Sequence, residues 1–340
     1  MKKIIGILLA GALVTSAFAA DVNAKVNLLG SLFNFSADGN KVGALAIAEG
    51  GQGWNPSFEM SVNGDVAGAS MKFFDAGATK AVSNVNYSIW FKPFDMLKVT
   101  VGNFTTNLNQ ETIDYSNTAT GIDSNGIALS LNASGFFADA FFAPGWSDAN
   151  FGWDRTGKAK YWFSTKEGDE KAKIGELYLR AGYSADFGTI SGYYNFVSES
   201  SQDFGLGYKN TFGSVEMFVN ALGFLEKDGK FDKIRAEVFA KTNVDALGLA
   251  AFVPVEVSLK DENKDKPVSL GAIAKVTYSL GSVTPYLYLK GANFLADKFS
   301  MTIKPGLTGN VGSMSWDLAV EFTAQEKIVI DVPVVFTVAW

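Results

Sequence analysis

Neither histidine nor cysteine occurs among the 340 residues. The first absence removes the Ser-His-Asp triad, the imidazole base and the commonest metal ligand. The second removes disulfide frameworks, zinc ribbons, thiolate nucleophiles and the cysteine of an N-terminal lipid anchor. Most hydrolase chemistry goes with them. Charge is also sparse, at 19% of residues against a globular norm of roughly 25%. The net charge of -6 and pI near 4.9 give nucleic acid no electrostatic foothold. Beyond the first twenty residues no apolar run approaches the ~18 positions that a spanning helix needs. Aromatics, by contrast, reach 14%, with 28 Phe beside 35 Gly. Such a composition suits a wall that faces something oilier than water.

The opening segment reads as an address. Lys2 and Lys3 form a positive start, Ile4 to Val14 an apolar core, and Thr15-Ser16-Ala17-Phe18-Ala19 a small-residue end of A-x-A form. This is the pattern of a secretory signal peptide over 1-19, cleaved between Ala19 and Ala20. Its removal takes two lysines and brings the formal charge from -6 to -8.

From residue 22 onward the hydrophobicity alternates with period two. Trp316, Leu318, Val320 and Phe322 alternate with Ser315, Asp317, Ala319 and Glu321, and Ile234, Ala236, Val238 and Ala240 with Lys233, Arg235, Glu237 and Lys241. In a strand this puts one set on each face. No 3.6-period helix competes, so an all-β chain is expected. Strands are expected near 22-35, 54-63, 65-74, 84-93, 96-104, 125-132, 135-143, 176-185 and 187-197. The series continues near 203-210, 212-222, 232-242, 246-260, 267-280, 282-292, 299-309, 311-323 and 326-340. That makes eighteen, or sixteen if a weak pair merges. Connectors alternate short and long almost throughout, the asymmetry of a closed antiparallel transmembrane barrel. A soluble sandwich or propeller also alternates, but without that rhythm. A β-solenoid would repeat at a short fixed period, and none is present. The domain reading is therefore a signal peptide over 1-19 and one transmembrane β-barrel over 20-340.

The sequence as given ends on Trp340, with Val332, Val334, Phe336 and Val338 at every second position before it. Here it resembles bacterial outer-membrane β-barrel proteins of the porin-like type. Their last strand ends in an aromatic residue with apolar residues alternating behind it, and the barrel-assembly machinery reads that pattern. Phe336 and Trp340 would be the assembly signal. The opening Ala20-Asp21-Val22 and the repeated Gly-Tyr/Phe strands are similar to spirochaete outer-membrane proteins, including host-exposed ones. The resemblance implies an outer-membrane porin of a Gram-negative type envelope, passing ions and small hydrophilic solutes by diffusion.

If the apolar faces meet lipid, the alternate positions line a lumen. Those carrying charge include Lys72, Lys98, Arg180, Glu216, Lys233, Arg235, Glu237, Lys275, Lys290, Lys304, Asp317 and Glu321. Counting every such position, cations outnumber anions fourteen to nine. Rings of charged side chains set ion preference in pores, although a wet lumen needs polar groups of both signs in any case. The connector Thr105 to Ser124 holds the place of the inward-folded constriction loop of general porins. It carries Glu111, Asp114 and Asp123 and no basic residue, but lacks the Pro-Glu-Phe-Gly stretch of the enterobacterial loop. The longer connector 144-175, with Trp146, Trp153, Tyr161 and Trp162, fits a lid, a surface epitope or a latch between protomers.

Barrel enzymes of the outer membrane rely on a histidine, which this chain lacks. Asp317 and Glu321, four residues apart on one strand face, lie ~13 Å apart, too far for a hydrolytic pair. No D-x-D-x-D calcium loop occurs. No enzyme, cofactor or metal is expected. Expected partners are outer-membrane lipid, the assembly machinery and small solutes or ions; a homotrimer stays open. The alternative function is a surface barrel that conducts little and serves as adhesin or antigen. Its mark would be a lumen filled by loops or by bulky inward residues such as Trp90, Phe137, Phe141, Phe218, Phe239 and Phe252.

Overall fold

A computed structural model describes residues 21–36, 41–46, 57–74, 84–109, 121–143, 163–164, 173–174, 176–198, 201–226, 229–260, 267–295, 299–325 and 328–339. All of their regular structure is strand. Eighteen strands make the wall: β1 Asp21–Ser36, β2 Ser57–Asn63, β3 Ala67–Phe74, β4 Asn84–Phe94, β5 Leu97–Asn107, β6 Gly121–Ala133, β7 Phe136–Phe142, β8 Leu177–Ala185 and β9 Gly188–Ser198. They continue as β10 Ser201–Phe212, β11 Val215–Leu225, β12 Phe231–Val244, β13 Leu247–Ser258, β14 Val268–Leu270 with Ala272–Tyr278, β15 Val283–Ala292, β16 Ser300–Val311, β17 Met314–Ala319 with Glu321–Ala324, and β18 Ile328–Ala339.

Each strand pairs antiparallel with the next, and β1 closes the ring. It pairs β2 from Asp21↔Asn63 to Asn27↔Ser57, and β18 from Lys25↔Ala339 to Ser36↔Val329. Closure leaves the wall no edge, which is what a bilayer demands of a strand protein. The two breaks, in β14 and β17, have one cause. Pro254 and Pro305 on the neighbouring strands have no N–H to give the ladder. Their carbonyls still accept, from Gly271 and Val320, so the register runs on unchanged.

Eight connectors of two to four residues lie at one rim; at the other most are longer, the exceptions being 199–200 after β9 and 325–327 after β17. Ser134 and Gly135 both take positive φ, 49° and 87°, the pattern of a tight I′ hairpin turn. The connector after β1 is not wholly irregular: Lys41–Ala46 folds back onto the end of β1, from Ser31↔Ala46 to Ser36↔Lys41. Within 144-175 a two-residue pairing joins Phe163–Ser164 to Lys173–Ile174.

The period-two alternation decides which face meets what. On β12, Val238 is 44% exposed while its neighbours Glu237 and Phe239 are 2% and 1% exposed. Ile89, Leu129, Leu179, Leu206, Val219, Leu287, Leu307 and Phe336 likewise stand outward and exposed. An apolar surface this continuous marks a membrane or partner contact. Outward aromatics thicken at both rims. Phe136, Tyr183 and Phe187 cluster at the short-turn rim, with ring centroids 4.5 and 6.3 Å apart, and Phe204 meets Phe231 at 5.9 Å near the other. Such girdles belong at the two interfaces of a bilayer.

Candidate functional site

The inner face is the candidate site. All twelve charged residues expected to line a lumen stand on it, opposite the apolar belt. They do not stand alone. Glu216 joins Lys209 (2.8 Å) and Lys241 (3.2 Å), and Glu256 joins Lys233 and Arg235 (both 3.1 Å). Lys72 pairs with Glu59 (2.8 Å) and Lys304 with Glu321 (3.4 Å). Lys98 lies 4.9 Å over the Trp90 ring, and Lys275 4.8 Å over Tyr286, whose hydroxyl donates to Asp317 (2.8 Å). Asp317 and Glu321 thus serve different partners and form no acid-base pair. Lys290 sits in the ladder opposite Ile273 and Thr302. Capture by Glu256 leaves Lys233 and Arg235 a net single positive charge between them, less than their sequence spacing promises.

Between these charges the inner wall is aromatic. Phe104 stacks on Phe141 (5.7 Å), Tyr178 on Tyr193 (5.5 Å) and Phe218 on Phe239 (5.0 Å), with Phe252 beside them. The first group packs with Leu108 and Leu222, the second with Ile273, Tyr286 and Tyr288. The bulky inward Phe residues noted in the sequence are therefore real, and they gather on one side of the ring.

The connector after β5 starts later than its sequence suggests. β5 runs to Asn107 and β6 begins at Gly121, so Asp123 lies in the ladder opposite Thr105 rather than in a loop. Its stem turns inward and is tied to the wall. Arg180 donates to the Asn107 carbonyl while pairing with Asp139 through Nη2 (2.7 Å) and Nε (2.8 Å). Thr106 adds a long bond to Asp139 (3.5 Å). The Asn220 amide donates to the Asn109 carbonyl and to Glu237, both at 3.1 Å. Leu108 is buried among Phe141, Tyr178 and Leu222. Space for this comes from β10, which presents Gly205 and Gly207 inward: a Cβ on Gly207 would lie 2.6 Å from Asn220 Oδ1 and 3.1 Å from Leu108 Cγ.

Sequence reasoning missed Asp139 as a partner, Asn109, Asn220 and the two glycines. Small residues at inward positions of β10 were the visible signal for the last. Glu111, Asp114, Trp340, the expected signal peptide and the aromatics of 144-175 fall outside the described residues. Phe336 faces outward, opposite Leu28 of β1 and Trp316 of β17. Among the described residues no three acidic side chains gather as a metal site.

No family model and no curated protein matches the sequence. By structure the chain is similar to OccK3 (OpdO) of Pseudomonas aeruginosa, at TM-score 0.60 and 9% identity over 94% of this chain and 95% of that one. It is similar to OccAB4 of Acinetobacter baumannii, at 0.61 and 9% over 94% and 98%. It is also similar to P. aeruginosa OccK2 (OpdF) in complex with glucuronate, at 0.59 and 10% over 94% and 97%. The likeness establishes the fold, a closed antiparallel barrel of eighteen strands.

Proposed function

We propose that the protein is an outer-membrane porin, a passive channel for ions and small hydrophilic solutes. One observation carries the reading: the closed wall is apolar outside and charged inside. Only a barrel with lipid around it and water within it benefits from that polarity. At eighteen strands a barrel is wide enough to hold an aqueous lumen. The short-turn rim, where Asp21 and Ala339 lie, is the periplasmic one. Residues 1-19 are the signal peptide, and Phe336 with Trp340 form the assembly signal. The twelve inward charges line the lumen, and Glu111 and Asp114 belong to the connector whose stem is pinned at Asn107 and Asn109. OccK2 holds a small hydrophilic solute on this fold, which supports passage of solutes of that size here.

The stacked inner aromatics favour a second reading, a surface barrel that conducts little. Swelling of liposomes carrying the refolded protein separates the two. A porin lets small sugars and amino acids enter and the vesicles swell. Vesicles that stay osmotically shrunken, with the protein folded in them, would establish the second reading instead.

A further inference from the structure

Charge on the inner wall is layered along the barrel axis. Counted from the short-turn end of each strand, the inward charges fall into two groups, one within five residues of that end and one seven to eleven residues from it. The first group forms a band. Glu59 stands opposite both Lys25 and Lys72, Glu216 binds Lys209 and Lys241, and Asp139 binds Arg180. Lys92 and Lys98 share the Trp90 ring and, among the described residues, pair with no carboxylate. Lys275 lies over Tyr286, whose hydroxyl donates to Asp317. The band thus sets eight cations against four anions, a net +4, and its strands, from β1 to β14, carry it round most of the circumference.

The second group leans the other way. Lys233 and Arg235 share Glu256, Lys304 binds Glu321, and Lys290 is the fourth cation. Glu237, Asp203 opposite Asn195, and Asp331 opposite Glu321 bring the anions to five. The paired cations here are also more sunken: the side chains of Lys233, Arg235 and Lys304 are 32%, 19% and 23% exposed, against 45%, 38% and 40% for Lys72, Lys209 and Lys241 in the band. At the short-turn rim itself Asp21, Asp65, Asp95, Asp186 and Asp245 are exposed. These five acids and the +4 band sum to -1. Residues 20-340 carry -8, so everything beyond the band, outer wall and outer connectors together, carries -7.

We infer that the channel rectifies, passing more current when the side of the long connectors is positive. The inference rests on the pore reading and deepens it. A low-dielectric wall focuses the field of its charges into the lumen, so the band gathers anions and the outer half gathers cations. With the long-connector side positive, cations enter through the outer half and anions through the band, and both accumulate where the layers meet. At the opposite polarity both are drawn away from that junction, which empties of carriers and limits the current. The rim acids weigh less, because they stand in open water, where salt at about 0.1 M screens them within about 10 Å.

The absence of cysteine lets orientation be read. Ser313→Cys, exposed on the short turn between β16 and β17, is biotinylated, and streptavidin added to one chamber perturbs only channels whose short-turn rim faces it. Single-channel current–voltage curves are then recorded for the folded protein. At about 0.1 M potassium chloride the current should be larger with the long-connector side positive. Near 1 M, where the Debye length is about 3 Å, the two polarities should give equal currents. Lys92→Glu with Lys98→Glu takes the band from +4 to 0 and should abolish the low-salt asymmetry. If that pair does not insert, Lys92→Gln with Lys98→Gln takes it to +2 and should reduce the asymmetry. Asp65→Asn with Asp245→Asn at the rim should leave its direction unchanged. Equal low-salt currents in wild type, the opposite direction, or an asymmetry that survives the lysine changes would overturn the inference. Absence of any current from folded, inserted wild type would refute the pore reading instead, so the two failures are distinct.

Discussion

Gly207→Ala should open the channel wider. The added Cβ would overlap the Asn109 amide nitrogen, lie 2.6 Å from Asn220 Oδ1 and press Leu108 Cγ at 3.1 Å. Overpacking of this kind costs about 1–3 kcal/mol. It can be relieved by lifting the stem, at the loss of the Asn220–Asn109 bond, worth about 1 kcal/mol. The wedge therefore biases the stem away from the wall by roughly 1–3 kcal/mol, a shift of about 5- to 150-fold in the docked-to-lifted ratio. Arg180 still holds Asn107, so the ladder of β5 is untouched. Single-channel recording should show higher conductance and more open-state noise than wild type. Gly192→Ala is the control: that glycine points outward on β9, where a Cβ meets Leu206 Cδ2 at 3.0 Å and no stem residue. If Gly207→Ala folds and conducts indistinguishably from wild type, the stem does not narrow the lumen and the reasoning fails.

Three other perturbations discriminate as well. Arg180→Met strands the buried Asp139 carboxylate and should cost about 3–5 kcal/mol, read as a lower urea midpoint in lipid vesicles; Arg180→Met with Asp139→Leu should regain most of it, and no recovery would mean that the pair is not the cause. Phe336→Asp places charge on the lipid face of the closing strand, costing less than the ~2–4 kcal/mol of a midplane Arg or Lys, and should reduce the folded fraction in the outer membrane, whereas an unchanged fraction would deny this face to lipid. Glu216→Gln releases the charge of Lys209 and Lys241 and should move the reversal potential toward anions in a low-salt gradient. That shift should fade near 1 M salt, where the Debye length is about 3 Å; a shift that persists there would come from geometry rather than charge.

Strand positions were legible because period two and the connector rhythm are independent signals that agree. Each of the eighteen expected segments overlaps a wall strand. Misplaced boundaries share a cause: where a strand runs past the belt, alternation fades. Thr106 and Asn107 extend β5 with polar side chains, and only Asp139 and Arg180, on strands far along the chain, show why they stay ordered. Inward placement of the charges was equally legible, since parity settles it. Their partners were not. Asn109 finds Asn220 across 111 residues, and Glu256 claims both Lys233 and Arg235, because barrel closure brings them together. The outward aromatics at each rim are scattered in sequence and align only once the strands are in register.

The central claim is that water fills the inside of this wall. Purified, folded protein added to a planar lipid bilayer should insert in discrete steps, each with a steady current that scales with salt concentration. Folded protein that inserts and carries no current at any voltage or salt would contradict it.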